Sequence, residues 1–155
     1  MRELKNIGIA GAGTMGATIA AIFAEHGYSV FLYDKFPKAL DRANEIITIG
    51  QKAAVEAGER TEDEAQQLMA RIEISDDLDK LAASDFIVEA IVENLDIKKE
   101  FWAELSAMTD DDVILATNTS GLSITKIAEA VKKPERFAGM HWINPSHLIP
   151  LVEVI

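Results

Sequence analysis

Apolar and polar positions along this chain fall into short strand-like runs separated by longer helical patterns. Ile7-Gly8-Ile9-Ala10 is apolar throughout, as a strand buried on both faces would be. A helical pattern follows toward His26 and Gly27, and Tyr28-Ser29-Val30-Phe31-Leu32-Tyr33 then alternates as a second strand. Pro37 opens a long helical pattern over 37–57, which Gly58 is placed to end. Thr61-Glu62-Asp63-Glu64 reads as a capping box that starts another helix, and 71–74 as a short strand. Asp76 or Asp77 caps a brief helix to about Ala82, and 86–91 is apolar enough for a buried parallel strand. Ile97, Phe101, Leu105 and Met108 recur at helical spacing. The spacing further predicts a strand over 113–116, a helix over 123–131 and strands over 137–140 and 151–155. Strands alternating with crossover helices imply an α/β domain, with a mostly parallel sheet covered by helices on both faces. Ligands of such sheets bind beyond the C-terminal ends of the strands.

Length and composition narrow the setting. The chain has 155 residues, 48% of them hydrophobic and 26% charged, which suits one globular domain over 1–155. No apolar run approaches the roughly 20 residues that span a bilayer. Met1-Arg2-Glu3-Leu4-Lys5 leads straight into a strand rather than forming a signal peptide, so a soluble, cytoplasmic protein is expected. With no cysteine, disulfides, thiolate metal sites and cysteine nucleophiles are excluded. A formal net charge of −11 disfavours nucleic acid and anionic membranes as partners. Acid clusters such as Asp110-Asp111-Asp112 lie on helix-like stretches and read as solvated surface.

The most informative stretch is Gly11-Ala12-Gly13-Thr14-Met15-Gly16, set between the first strand and the first helix. Gly11 permits the tight turn, Gly13 lets backbone amides approach a pyrophosphate, and Gly16 lets the helix pack close to the sheet. Thr14 and Met15 complete the phosphate-facing turn, where unpaired N–H groups and the helix dipole favour an anion. Asp34 closes the second strand about 20 residues on, where the Rossmann-type fingerprint expects an acid for the adenosine ribose hydroxyls. That acid repels a 2′-phosphate, and although Lys35 follows, no arginine stands beside it; NAD is favoured over NADP.

Three clusters fall after later strands, where the nicotinamide end would lie: Glu93-Asn94 with Lys98, Asn118-Thr119-Ser120, and His141-Trp142-Ile143-Asn144-Pro145. Among the three histidines, His141 alone stands at such a strand end, suited to take a hydroxyl proton or return it. Glu153 lies in an apolar strand, where a lone carboxylate is costly, so a hydrogen bond to His141 is expected. Trp142 and Phe137 read as packing, His26 as serving a helix terminus, and no cluster has the makings of a metal site.

The constellation resembles the NAD-binding domain of the L-3-hydroxyacyl-CoA dehydrogenases. The shared stretches are Gly-Ala-Gly-Thr-Met-Gly from Gly11, Val-Glu-Ala-Ile-Val-Glu-Asn from Val88, Asn-Thr-Ser from Asn118, Phe-Ala-Gly-Met-His from Phe137, Asn-Pro from Asn144 and Leu-Val-Glu-Val-Ile from Leu151. The resemblance implies that His141 is the catalytic acid/base and Glu153 its partner. It implies Ser120 near the substrate oxygen and nicotinamide, Asn144 beside the active site, Asp34 on the ribose, and Glu93 and Lys98 at the nicotinamide half. The expected reaction is reversible oxidation of the 3-hydroxyl of an L-3-hydroxyacyl-CoA, in fatty acid metabolism. The family's helical second domain, which completes the substrate pocket and forms most of a homodimer contact, has no counterpart in these residues. Gly50 and Ala57 stand where acyl-CoA relatives have a serine and a lysine that contact CoA. Ser146-His147-Leu148-Ile149-Pro150 is more similar to relatives that oxidise small hydroxy acids such as carnitine or gulonate. Lys35, Lys38, Arg42 and Lys52 remain to meet phosphates. A small free hydroxy acid as substrate, and a non-catalytic NAD-binding module, are the alternatives.

Overall fold

The computed structural model of the protein describes residues 3–155; Met1 and Arg2, part of the segment read as leading into the first strand, lie outside the described residues. The elements follow in the order β1 (Asn6–Ala10), α1 (Thr14–Glu25), β2 (Ser29–Tyr33), α2 (Pro37–Glu56), α3 (Glu62–Ala70), β3 (Ile72–Ser75) and α4 (Leu78–Ala82). The second half continues with β4 (Phe86–Glu89), α5 (Leu95–Met108), β5 (Ile114–Thr117), α6 (Ile124–Ala128), β6 (Phe137–Trp142) and β7 (Val152–Val154). The sheet order is β3-β2-β1-β4-β5-β6-β7, parallel throughout except for β7, which runs antiparallel to β6. This is the Rossmann-type fold expected of the strand and helix alternation.

Strand alternation feeds two cores, one on each face of the sheet. Ile7, Ile9, Val30, Leu32 and Val88 pack with Ile19 and Ala20 of α1 and Ile47 of α2. Ala10, Ile87 and Leu115 point the other way, against Leu81 of α4, Trp102 and Leu105 of α5 and Ile127 of α6. Local signals set the helix ends. Thr61 accepts from the Glu64 amide while the Glu64 side chain accepts from the Thr61 amide, completing the capping box, and Asp77 caps α4 through Lys80 N–H. Gly58, with φ of 73°, turns the chain out of α2.

Most strand and helix ends lie within a residue of the sequence reading, and three boundaries differ more. β4 stops at Glu89 because its neighbours stop there too: Ala10 and Thr117 are the last residues that pair with it. β6 runs on to Trp142, because β7 pairs with Met140, His141 and Trp142 after β5 has ended opposite Gly139. His141 therefore lies inside a strand rather than after one. α6 ends at Ala128, and two tight turns, Ala130 N–H to Ile127 and Val131 N–H to Ala128, carry the chain onward with Val131 still buried.

Crossovers leave β1 toward β2 on one side and reach β4 on the other, so β1 and β4 form a switch point, and both crevice-forming turns open at their C-terminal ends.

Candidate active site

The glycine turn sits in that crevice. Gly11 has φ of 103°, and a Cβ there would stand 2.6 Å from the Ala90 carbonyl oxygen. A Cβ on Gly16 would come within 1.7 Å of the Gly11 carbonyl oxygen, so this glycine is what allows α1 to start directly over the turn. Over Gly13 the space is open, and Gly13 caps α1 without a side chain. The amides of Thr14, Met15 and Gly16 precede the first helical bond, Ala17 N–H to Gly13, and no acid occupies the first turn of α1. Amides without a helical partner at a helix N-terminus, with open space over Gly13, favour a negative charge there.

Asp34 is tied to the same turn, its carboxylate accepting from Ala12 N–H at 2.9 Å and from Phe36 N–H at 3.0 Å. Beyond it opens a cleft of about 360 Å³, lined by Gly11, Tyr33, Asp34, Ile91, Ile97 and Phe101 among others. Burial, followed by the charges of Glu104, Asp34 and Asp76, pushes the Tyr33 phenol above its ordinary value and keeps it a neutral wall of that cleft.

At the other end of the crevice the sheet brings together residues far apart in sequence. Antiparallel register sets His141 directly opposite Glu153. His141 Nδ1 lies 2.7 Å from Glu153 Oε2, and Nε2 lies 3.1 Å from Ser120 Oγ. A carboxylate at Nδ1 favours the tautomer with its proton there, leaving Nε2 with a free lone pair toward Ser120. The expected pairing is present, although the burial argument behind it does not apply: the Glu153 side chain is 53% exposed and His141 21%. Asn118 Oδ1 accepts from Trp142 N–H at 2.8 Å, locking the loop after β5 to β6.

Glu93 organises that loop. Its Oε1 accepts from Thr119 Oγ1 at 2.5 Å, Ser120 N–H at 2.9 Å and Gly121 N–H at 3.1 Å. Partial burial alone would raise the carboxyl, but the Thr119 hydroxyl, the two amides and the Lys98 charge outweigh it and hold Glu93 below its ordinary value. Lys98 sits elsewhere than the sequence reading suggests. It is fully enclosed, bonded to Glu89 with Glu93 Oε2 at 3.5 Å, so its ammonium faces these carboxylates from behind instead of lining the crevice. Asn144 lies exposed in the turn after β6. The sequence reading did not single out Glu89, Thr117 and Trp102, and it named Thr119 only within the Asn118-Thr119-Ser120 cluster. The available signal was an acid within the apolar run Phe86-Ile87-Val88-Glu89, which demands a buried partner. Among the described residues, no group of three or more His, Asp or Glu side chains is gathered for a metal ion, and no helix is long and apolar enough to cross a membrane.

Residues 6–155 match the model of the 3-hydroxyacyl-CoA dehydrogenase NAD binding domain. The chain belongs to this family. NAD is accordingly the dinucleotide of this domain, and the open space over Gly13, the amides that precede the first helical bond of α1 and the position of Asp34 fit it. Among curated relatives, the domain is 39% identical over 155 residues to the 3-hydroxyadipyl-CoA dehydrogenase of Escherichia coli, covering 100% of this chain and 33% of that protein. It is 40% identical over 153 residues to a probable 3-hydroxybutyryl-CoA dehydrogenase of Bacillus subtilis, covering 99% of this chain and 53% of the relative. The crystal structure of the (S)-3-hydroxybutyryl-CoA dehydrogenase from Ralstonia eutropha superposes with a TM-score of 0.95 at 34% identity, over 98% of this chain and 54% of that one. The chain thus spans a third to about half the length of these relatives.

Proposed function

We propose that this domain is the cofactor-binding and proton-transferring part of an NAD-dependent dehydrogenase that oxidises the 3-hydroxyl of an L-3-hydroxyacyl-CoA. The observation that carries this reading is the Ser120–His141–Glu153 line, with His141 Nε2 at 3.1 Å from Ser120 Oγ and Nδ1 at 2.7 Å from Glu153, beside the dinucleotide crevice.

Gly11, Gly13, Thr14, Met15 and Gly16 hold the pyrophosphate through backbone amides and the N-terminus of α1. Asp34 accepts from the ribose hydroxyls, exchanging its backbone donors Ala12 and Phe36 in part for them. Glu93 and Ser120 flank the nicotinamide half, with Lys98 acting behind Glu93. Bound NAD supplies the hydride acceptor. His141 Nε2 takes the hydroxyl proton as general base and, in the reverse direction, returns it to the carbonyl oxygen. Glu153 steadies the imidazolium that forms and fixes the ring's tautomer. The Ser120 hydroxyl, between imidazole and crevice, and Asn144 on the adjoining turn orient the substrate oxygen. The working protein is cytoplasmic and homodimeric, with a further helical domain completing the substrate pocket.

The test uses the protein extended to the full length of its relatives. His141→Ala should leave NAD affinity unchanged and lower turnover of acetoacetyl-CoA by about 10²-fold or more. Unchanged turnover would remove His141 from the chemistry. The free-acid reading has one observation in its favour: α2 presents Gly50, and the turn after it Ala57, as exposed positions without a cation for a CoA phosphate. Turnover of small 3-keto acids, with none of acetoacetyl-CoA, would establish that reading instead. Turnover of neither would leave an NAD-binding module.

A further inference from the structure

Glu89 and Lys98 place an opposed pair of charges inside the core behind the crevice, with side chains 0% and 1% exposed. A buried ion pair is weak evidence for stability by itself, so the partners its bonds reach are what distinguish it. Apart from the bond to Trp102 in α5, each bond the pair makes to a third residue leads to a strand end or to the loop beyond it. Glu89 Oε2 accepts from Thr117 Oγ1 at 2.7 Å, at the end of β5, and from Trp102 Nε1 at 3.3 Å in α5. Glu89 Oε1 accepts from Ile91 N–H at 2.9 Å and from Lys98. Lys98 Nζ then reaches the Ile91 carbonyl at 3.3 Å and Glu93 Oε2 at 3.5 Å. With Oε2 facing Lys98, Glu93 turns Oε1 to the three donors of Thr119, Ser120 and Gly121. The last link is Ser120 Oγ to His141 Nε2.

We propose that Glu89 is a positioning residue: acting through Lys98 and Glu93, it holds the 119–121 loop so that the Ser120 hydroxyl meets His141 Nε2. The catalytic meaning of this rests on His141 being the proton carrier, but the linkage itself does not. A charge with no path to solvent thereby sets the geometry of a hydroxyl at the surface of the crevice. The physical reason is rigidity: the buried Glu89 carboxylate and Lys98 ammonium are fully bonded, so the backbone of Ile91 and the carboxylate of Glu93 inherit a single arrangement.

The experiment reads the His141 ring by ¹⁵N NMR in the 155-residue chain, with Ser120→Ala as the reference for a lost Nε2 bond. Glu89→Leu combined with Lys98→Met removes both charges together and leaves no unpaired ion. The variant leaves Thr117, Trp102 and Ile91 N–H without their acceptor, so its midpoint should fall, but in the folded protein its Nε2 resonance should move to the Ser120→Ala position. Thr117→Val keeps the ion pair, removes one Glu89 bond and should move Nε2 part of the way in the same direction. If the double variant does not fold, Thr117→Val decides alone. A role in stability only would shift the unfolding midpoint and leave Nε2 where the parent has it; that result in a folded variant overturns the proposal. Because the readout is a hydrogen bond and not turnover, it can fail while His141 proves catalytic, and it can hold while His141 does not.

Discussion

Glu93 shows how a single carboxylate converts charge into loop geometry. Thr119, Ser120 and Gly121 all donate to it, and its value lies below the ordinary 4.5 of a glutamate. A folded-state value below the unfolded one contributes stability that is complete above the ordinary value and is lost as pH falls through the lowered one. Acidification should therefore release the loop only below pH 4.5. Amide shifts of Ser120 and Gly121 followed against pH should inflect below that point. An inflection at or above it would mean that these bonds do not hold the charge. Asp34 acts at the same scale. Replacing it with alanine removes the acceptor for both Ala12 N–H and the ribose, so NAD binding measured by calorimetry should weaken at least about tenfold, the scale of a single charged hydrogen bond. Unaltered affinity would displace Asp34 from the cofactor site.

At the scale of elements, two short signals are worth different amounts. The Thr61 capping box closes one exposed helix end, so Thr61→Ala should lower stability by about 1 kcal/mol in urea unfolding. Gly16 joins β1 to α1 at a distance no side chain permits. Gly16→Ala puts a Cβ 1.7 Å from a backbone oxygen that cannot move aside without opening the turn. Its loss in the same experiment should exceed that of Thr61→Ala by several kcal/mol or abolish folding. A Gly16→Ala protein as stable as Thr61→Ala would mean that the turn relaxes freely, contrary to the packing of α1 on Ile7 and Ile9. Both signals could be seen in the sequence, since a capping box and a glycine turn involve residues within a few positions of one another. Strand ends were less visible. β4 and β6 end where their neighbours end, and those neighbours come from other parts of the chain.

For the whole molecule, cofactor binding and folding are linked. NAD binds the folded chain and not the unfolded one, so a concentration of 100 times Kd should raise stability by about 2.7 kcal/mol, read as a higher thermal midpoint. NADP at the same concentration should raise it less, because its extra phosphate meets Asp34 in a molecule of net charge −11. Equal shifts would show that Asp34 does not discriminate between them.

What the sequence by itself determined is what depends on near neighbours and on periodicity: the alternation of strands and helices, the glycine turn, the Thr61 capping box and the acid that follows β2. It also marked Ser120 and His141 as chemically capable groups after strands and Glu153 as an acid within one. Only the tertiary structure decided how they meet. His141 and Glu153 face one another because β7 returns antiparallel beside β6, a register that a strand-by-strand reading leaves open. Lys98, read as a cofactor contact, turns inward because the adjacency of β4, β5 and α5 surrounds Glu89 with donors and makes an ion pair the lowest-energy way to bury that acid. Contacts between residues distant in sequence depend on which strands the sheet makes neighbours, and sheet order is a property of the packed whole.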